Sequence, residues 1–125
     1  MQQQNFEFNS KVCTDVEQSR RLMKLGLKTE TSDMHGTNMS LKGKNYQDDW
    51  TFGAMPYNEV KEGWEKYAKD SCWELIPTWS LNRLIELAFP KGVGIVSVKN
   101  TYDNIISLIE KRINNGIFNE NYLNV

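Results

Sequence analysis

Tyr102, Ile105, Ile106, Ile109 and Ile113 recur three and four residues apart, the spacing that lines one face of an α-helix. No other stretch of the chain constrains the fold so tightly. A stripe of four isoleucines must lie against other apolar surface, so the chain has to supply a second layer to cover it. Gly116 follows at the point where a helix end takes up the left-handed conformation, so the helix is predicted from about Tyr102 to just before that glycine.

Two further segments answer the demand for partners. Thr14 followed by Glu17 reads as a capping box, with Asp15 at the positive end of the helix dipole. A helix is predicted from Asp15 to Leu25, stopped by Gly26, with Val16, Met23 and Leu27 as its buried contacts. Between Pro77 and Pro90, Leu81, Leu84, Ile85 and Ala88 form another helical stripe, which Ser80 can cap and Pro90 and Gly92 close. Val60, Trp64, Tyr67 and Ala68 suggest a fourth helix opening at Asn58, weakened by Gly63 in its interior.

Strand signals are shorter. Phe6, Phe8 and Val12 suggest an interrupted strand before Cys13. Trp50–Met55 reads as an extended piece, and Val93–Lys99 is a β-rich run too short for a helix. Residues 28–59 are poor in apolar side chains, and a flexible loop is expected at about 36–49. Ile117–Val125 is expected to fray. Helices and strands do not alternate regularly. The expectation is therefore one α+β domain over 1–125, with three to four helices packed on a small, mostly antiparallel sheet of two to three short strands.

Chemistry is sparse. The 125 residues hold one histidine, His35, and two cysteines, Cys13 and Cys72. A zinc site from Cys13, Asp33, His35 and Cys72 has none of the paired-ligand spacing such sites use, and no metal or other cofactor is expected. His35 reads as a solvent-facing loop residue. A thiol enzyme would have to pair Cys13 or Cys72 with His35. Burial is the simpler role for both thiols, although Cys13 precedes a helix start that would lower a thiol pKa. Neither a dinucleotide fingerprint nor a P-loop occurs.

Charge narrows the partners. The net charge is −1, with Lys and Arg interleaved among Asp and Glu, so a nucleic-acid binder's basic patch is missing. No secretory leader and no apolar run of membrane-spanning length are seen, and a cytoplasmic location is expected. The aromatics stand out instead. All four tryptophans, Trp50, Trp64, Trp73 and Trp79, fall within 30 residues, with Phe52 and Tyr57 among them. Trp64 lies on a helical stripe and reads as core. Trp50, Phe52, Tyr57 and Trp79 are the candidate interaction surface.

Four segments also carry a resemblance. Val12–Leu22, with Cys13, Glu17, Gln18 and Ser19, runs on to Leu25-Gly26-Leu27 and Thr31-Ser32-Asp33-Met34. Trp73–Leu81 contains Pro77-Thr78-Trp79-Ser80-Leu81, and Tyr102-Asp103-Asn104 opens the last helix. Together they resemble small uncharacterised proteins of phages and prophages in gut Bacteroidetes. The resemblance implies a phage-associated origin and supplies no catalytic residues. The expected function is that of a non-enzymatic accessory contacting a host or phage protein, or a second copy of itself. The alternatives are the small cysteine-dependent enzyme and a structural component of the virion or its assembly.

Overall fold

A computed structural model describes residues 11–38, 50–67, 74–89 and 102–124. Within them the order is α1 (Val16–Lys24), β1 (Met34–Asn38), β2 (Trp50–Gly53), α2 (Tyr57–Tyr67), β3 (Glu74–Thr78), α3 (Leu81–Ala88) and α4 (Tyr102–Asn114). Short 3-10 turns lie at Thr29–Thr31 and Glu120–Tyr122. The sheet is antiparallel with order β2-β1-β3. Four helices packed with a three-stranded antiparallel sheet make this an α+β fold.

The isoleucine stripe forms the centre of the core. Ile105, Ile106 and Ile109 of α4 are fully buried against Leu22 of α1, Leu27, Trp79, and Leu84 and Leu87 of α3. Gly26 (φ 98°) and Gly116 (φ 71°) both take the left-handed conformation as α1 and α4 end. Ser80 caps α3 by accepting the Arg83 amide at 3.1 Å. Asp33 braces that cap, accepting from the Ser80 amide at 2.8 Å and its hydroxyl at 2.5 Å.

Several expectations are corrected. The α1 capping box is Asp15 with Gln18, through bonds of 2.7 and 3.1 Å, instead of Thr14 with Glu17. Thr14 is drawn away because its amide donates to the Trp79 carbonyl at 2.9 Å and its hydroxyl accepts from the Trp79 amide at 3.1 Å. Pro77 lies inside β3 and begins no helix. It is tolerated because β3 is an edge strand among the described residues, so its missing N–H costs no bond to β1. α2 begins at Tyr57, and Asn58 accepts a bond from the Thr29 hydroxyl at 3.0 Å.

Residues 36–38, placed at the start of the expected loop, belong to β1 and pair on both sides. Two ladders hold a strand whose own side chains favour none. The expected frayed tail is tied down as well. Phe118 is buried, the Lys28 amide donates to the Tyr122 carbonyl at 2.8 Å, and the Asn124 amide donates to the Gly26 carbonyl at 2.7 Å. The rest of the expected loop, 39–49, and the strands expected at Phe6 and at Val93–Lys99 lie outside the described residues.

Candidate interaction surface

Strand pleating sorts the sheet's side chains into two faces. The register puts Met34, Gly36 and Asn38 on one face with Trp50, Phe52, Ile76 and Thr78. The opposite face holds His35 and Thr37 with Thr51, Gly53, Leu75 and Pro77. Trp50 and Phe52 therefore project to the same side of the outer strand.

Glycine makes room for both rings that cross between β1 and β2. A Cβ on Gly36 would come within 2.8 Å of the Phe52 ring and 3.4 Å of Ile76. A Cβ on Gly53 would come within 2.6 Å of the His35 ring. Phe52 thus lies flat across the backbone of β1 on one face, and His35 across β2 on the other. Phe52 remains 38% exposed, and Met55, just past the strand, is 54% exposed. Trp50 and Tyr57 are half-buried, and the Lys61 ammonium stands 6.0 Å from the Tyr57 ring centre. From Trp50 to Met55 no residue carries a charge.

Trp79 does not belong to this surface. It has no solvent exposure, and its indole N–H donates to the Thr31 hydroxyl at 3.0 Å. The reason is positional: Trp79 joins β3 to α3, where the chain passes between the sheet and the isoleucine stripe. Of the four expected surface residues, Trp50 and Phe52 share one face and Tyr57 starts the helix that follows. Met55 was missed because it stands beyond the alternating Trp50/Phe52 pair, where no periodic pattern marks exposure.

His35 is a strand residue, half-buried, and its placement in a solvent-facing loop is corrected. Its Nδ1 bonds the Met55 carbonyl at 2.8 Å, so that nitrogen carries the proton. This bond ties the chain after β2 to the His35 face. Cys13 is 3% exposed. Burial pushes its thiol above the ordinary 9.0, partly offset by the neighbouring Thr78 hydroxyl and Lys11. Thr78 Oγ1 itself is buried and finds no hydrogen-bond partner of good geometry among the described residues. Thr78 and His35 occupy opposite faces of the sheet. A Cys13–His35 dyad is therefore not assembled, and the buried, protonated thiol is a poor nucleophile. Cys72 lies outside the described residues.

Among the described residues no three His, Cys, Asp or Glu side chains group as metal ligands. Two open concavities occur. One, of about 290 Å³, is lined by Lys28, Glu30, Arg83, Glu86 and Tyr122 with their neighbours. The other, of about 330 Å³, is lined by Asp15, Glu17, Gln18, Arg21 and Asp103. Neither wall includes a histidine or cysteine. No helix among the described residues is long and apolar enough to cross a membrane.

Fold and surface together define an α+β protein that offers an uncharged, aromatic outer strand. No protein-family model matches the chain, and neither a curated protein nor a solved structure does.

Proposed function

We propose that this protein is a non-enzymatic accessory of phage or prophage origin, working in the host cytoplasm by contact with another protein through the β2 surface. One observation carries the reading. Phe52 and Met55 remain exposed beside half-buried Trp50 and Tyr57, on six consecutive residues without charge. Large apolar side chains grouped at an edge strand are costly to leave in water and are the usual anchors of protein contacts. The phage origin rests on the sequence resemblance alone. The burial of Cys13 and the engagement of His35 at Met55 weigh against the thiol-enzyme alternative in its Cys13 form.

The test is affinity capture from phage-carrying host lysate with wild type, Phe52→Glu and, as a control at a distant exposed apolar residue, Ile117→Ser. Circular dichroism checks that each variant folds. A protein retained by wild type and Ile117→Ser but lost with Phe52→Glu supports the reading. Equal retention by all three baits, or by none, refutes it.

A further inference from the structure

We infer that the β2 edge pairs with the β2 edge of a second copy of this chain, across a two-fold axis at Thr51. The inference rests on the reading above and names the partner that this surface fits. Among the described residues nothing pairs with the outer side of β2, and the strand contains no proline or lysine to block an added neighbour.

Symmetry then fixes the geometry. Two copies joining antiparallel edges about a two-fold axis must keep each face of the sheet on its own side. Directly opposite residues must therefore share a face, so Trp50 and Phe52 can oppose only each other or themselves, and Thr51 only Thr51 or Gly53. Setting Thr51 opposite its copy places Trp50 against the partner's Phe52 and Phe52 against the partner's Trp50. Shifting by one step in either direction leaves one of the aromatics without an aromatic opposite. The Thr51 register thus forms two aromatic cross-strand pairs at once, on the face where Phe52 is exposed. On the other face it extends an existing threonine pair, Thr37 Oγ1 to Thr51 Oγ1 at 3.0 Å, into a row of four hydroxyls. Like charges do not meet across the joint, because Trp50–Met55 has none. A pairing of four-residue strands buries a small area, so the dimer is a weak, concentration-dependent one.

Thr51 is exposed and outside the core, which makes it the residue to change. Sedimentation velocity over a concentration series compares wild type with Thr51→Lys, which sets two ammonium groups face to face. The same protein carrying Thr51→Cys is oxidised with copper phenanthroline and its disulfides are mapped by peptide mass spectrometry. Directly opposite strand residues have Cα atoms about 4.5–5.5 Å apart, within disulfide reach. The expected result is a wild-type dimer, dissociation at least about tenfold easier for Thr51→Lys, and a 51–51 linkage in Thr51→Cys. A wild type that stays monomeric, or a dimer indifferent to Thr51→Lys with no 51–51 linkage, overturns the inference. If the self-pairing fails while Phe52→Glu still abolishes capture of a different protein, the functional reading stands and only the choice of partner falls. If both fail, the β2 surface is no contact site.

Discussion

Replacing Trp79 with phenylalanine tests the placement that most reshapes the expected surface. The indole has no solvent exposure, and its N–H donates to Thr31 Oγ1 at 3.0 Å. Losing that bond costs about 1 kcal/mol net. Two fewer buried ring carbons cost about 1.5 kcal/mol at roughly 0.8 kcal/mol per buried carbon group, and the space they leave adds to that. The sum is about 3 kcal/mol, a large share of the roughly 5–15 kcal/mol that holds a domain together. For a chain of this size it corresponds to a fall in Tm of roughly 10–15 °C. Thr31→Val makes the complementary cut, leaving the indole N–H buried without an acceptor at a cost of about 1–3 kcal/mol. The Thr31 hydroxyl also donates to the Lys28 carbonyl at 2.6 Å, so only a double-mutant cycle isolates the indole bond. Urea unfolding followed by far-UV circular dichroism measures all four proteins. A coupling of about 1 kcal/mol between the two sites is expected. Additive effects would mean that the bond does not exist. A cost for Trp79→Phe below about 0.5 kcal/mol would return this ring to the surface and undo the division between core and contact residues.

Three other outcomes follow from named contacts. Thr14→Ala strips the buried Trp79 amide of its acceptor and should cost more, about 1–3 kcal/mol, than Asp15→Ala, about 1 kcal/mol for a lost cap, with Glu17→Ala close to neutral; chemical denaturation ranks the three. Gly53→Ala drives a Cβ into His35, whose ring is held by Met55, and should destabilise. Gly63→Ala meets nothing within 4 Å on α2 and should gain up to about 1 kcal/mol, so opposite shifts in Tm are expected. Burial raises the Cys13 thiol, so the folded state binds its proton more tightly than the unfolded chain does. The stability from this group is complete below the ordinary value of 9.0 and is lost as pH rises above it, a decline that Cys13→Ala should flatten in pH-dependent unfolding.

Much of the helical layer was legible because its signals are local. The isoleucine stripe, the left-handed glycines 26 and 116 and the Ser80 cap each depend on a few neighbouring residues. The extended piece at Trp50 was legible from its alternation. What escaped was decided at long range. Met34–Asn38 has a glycine, a histidine and an asparagine and no strand pattern. It is a strand because β2 and β3, distant in sequence, bond it on both sides, and because its Gly36 accepts the Phe52 ring. Thr14 looked like a cap because nothing local announces that the Trp79 backbone, 65 residues on, claims its hydroxyl. The tail looked frayed because its anchors, Leu27 and Gly26, lie at the other end of the chain. The candidate surface was legible as a cluster of rings, but composition could not separate Trp79 from Trp50 and Phe52. Only the register and the core do so.

The most direct test of the central claim, that the β2 surface is where this protein meets its partner, is hydroxyl-radical footprinting read by mass spectrometry. It compares the dilute free chain with the chain in its captured or concentrated, associated state. The free chain should be labelled at Phe52 and Met55, and at Val12 and Ile117, which are also exposed, while Trp79 stays unlabelled. On association, labelling should fall at Phe52 and Met55 and stay constant at Val12 and Ile117. Protection at Val12 or Ile117, with Phe52 and Met55 labelled as before, would contradict the claim.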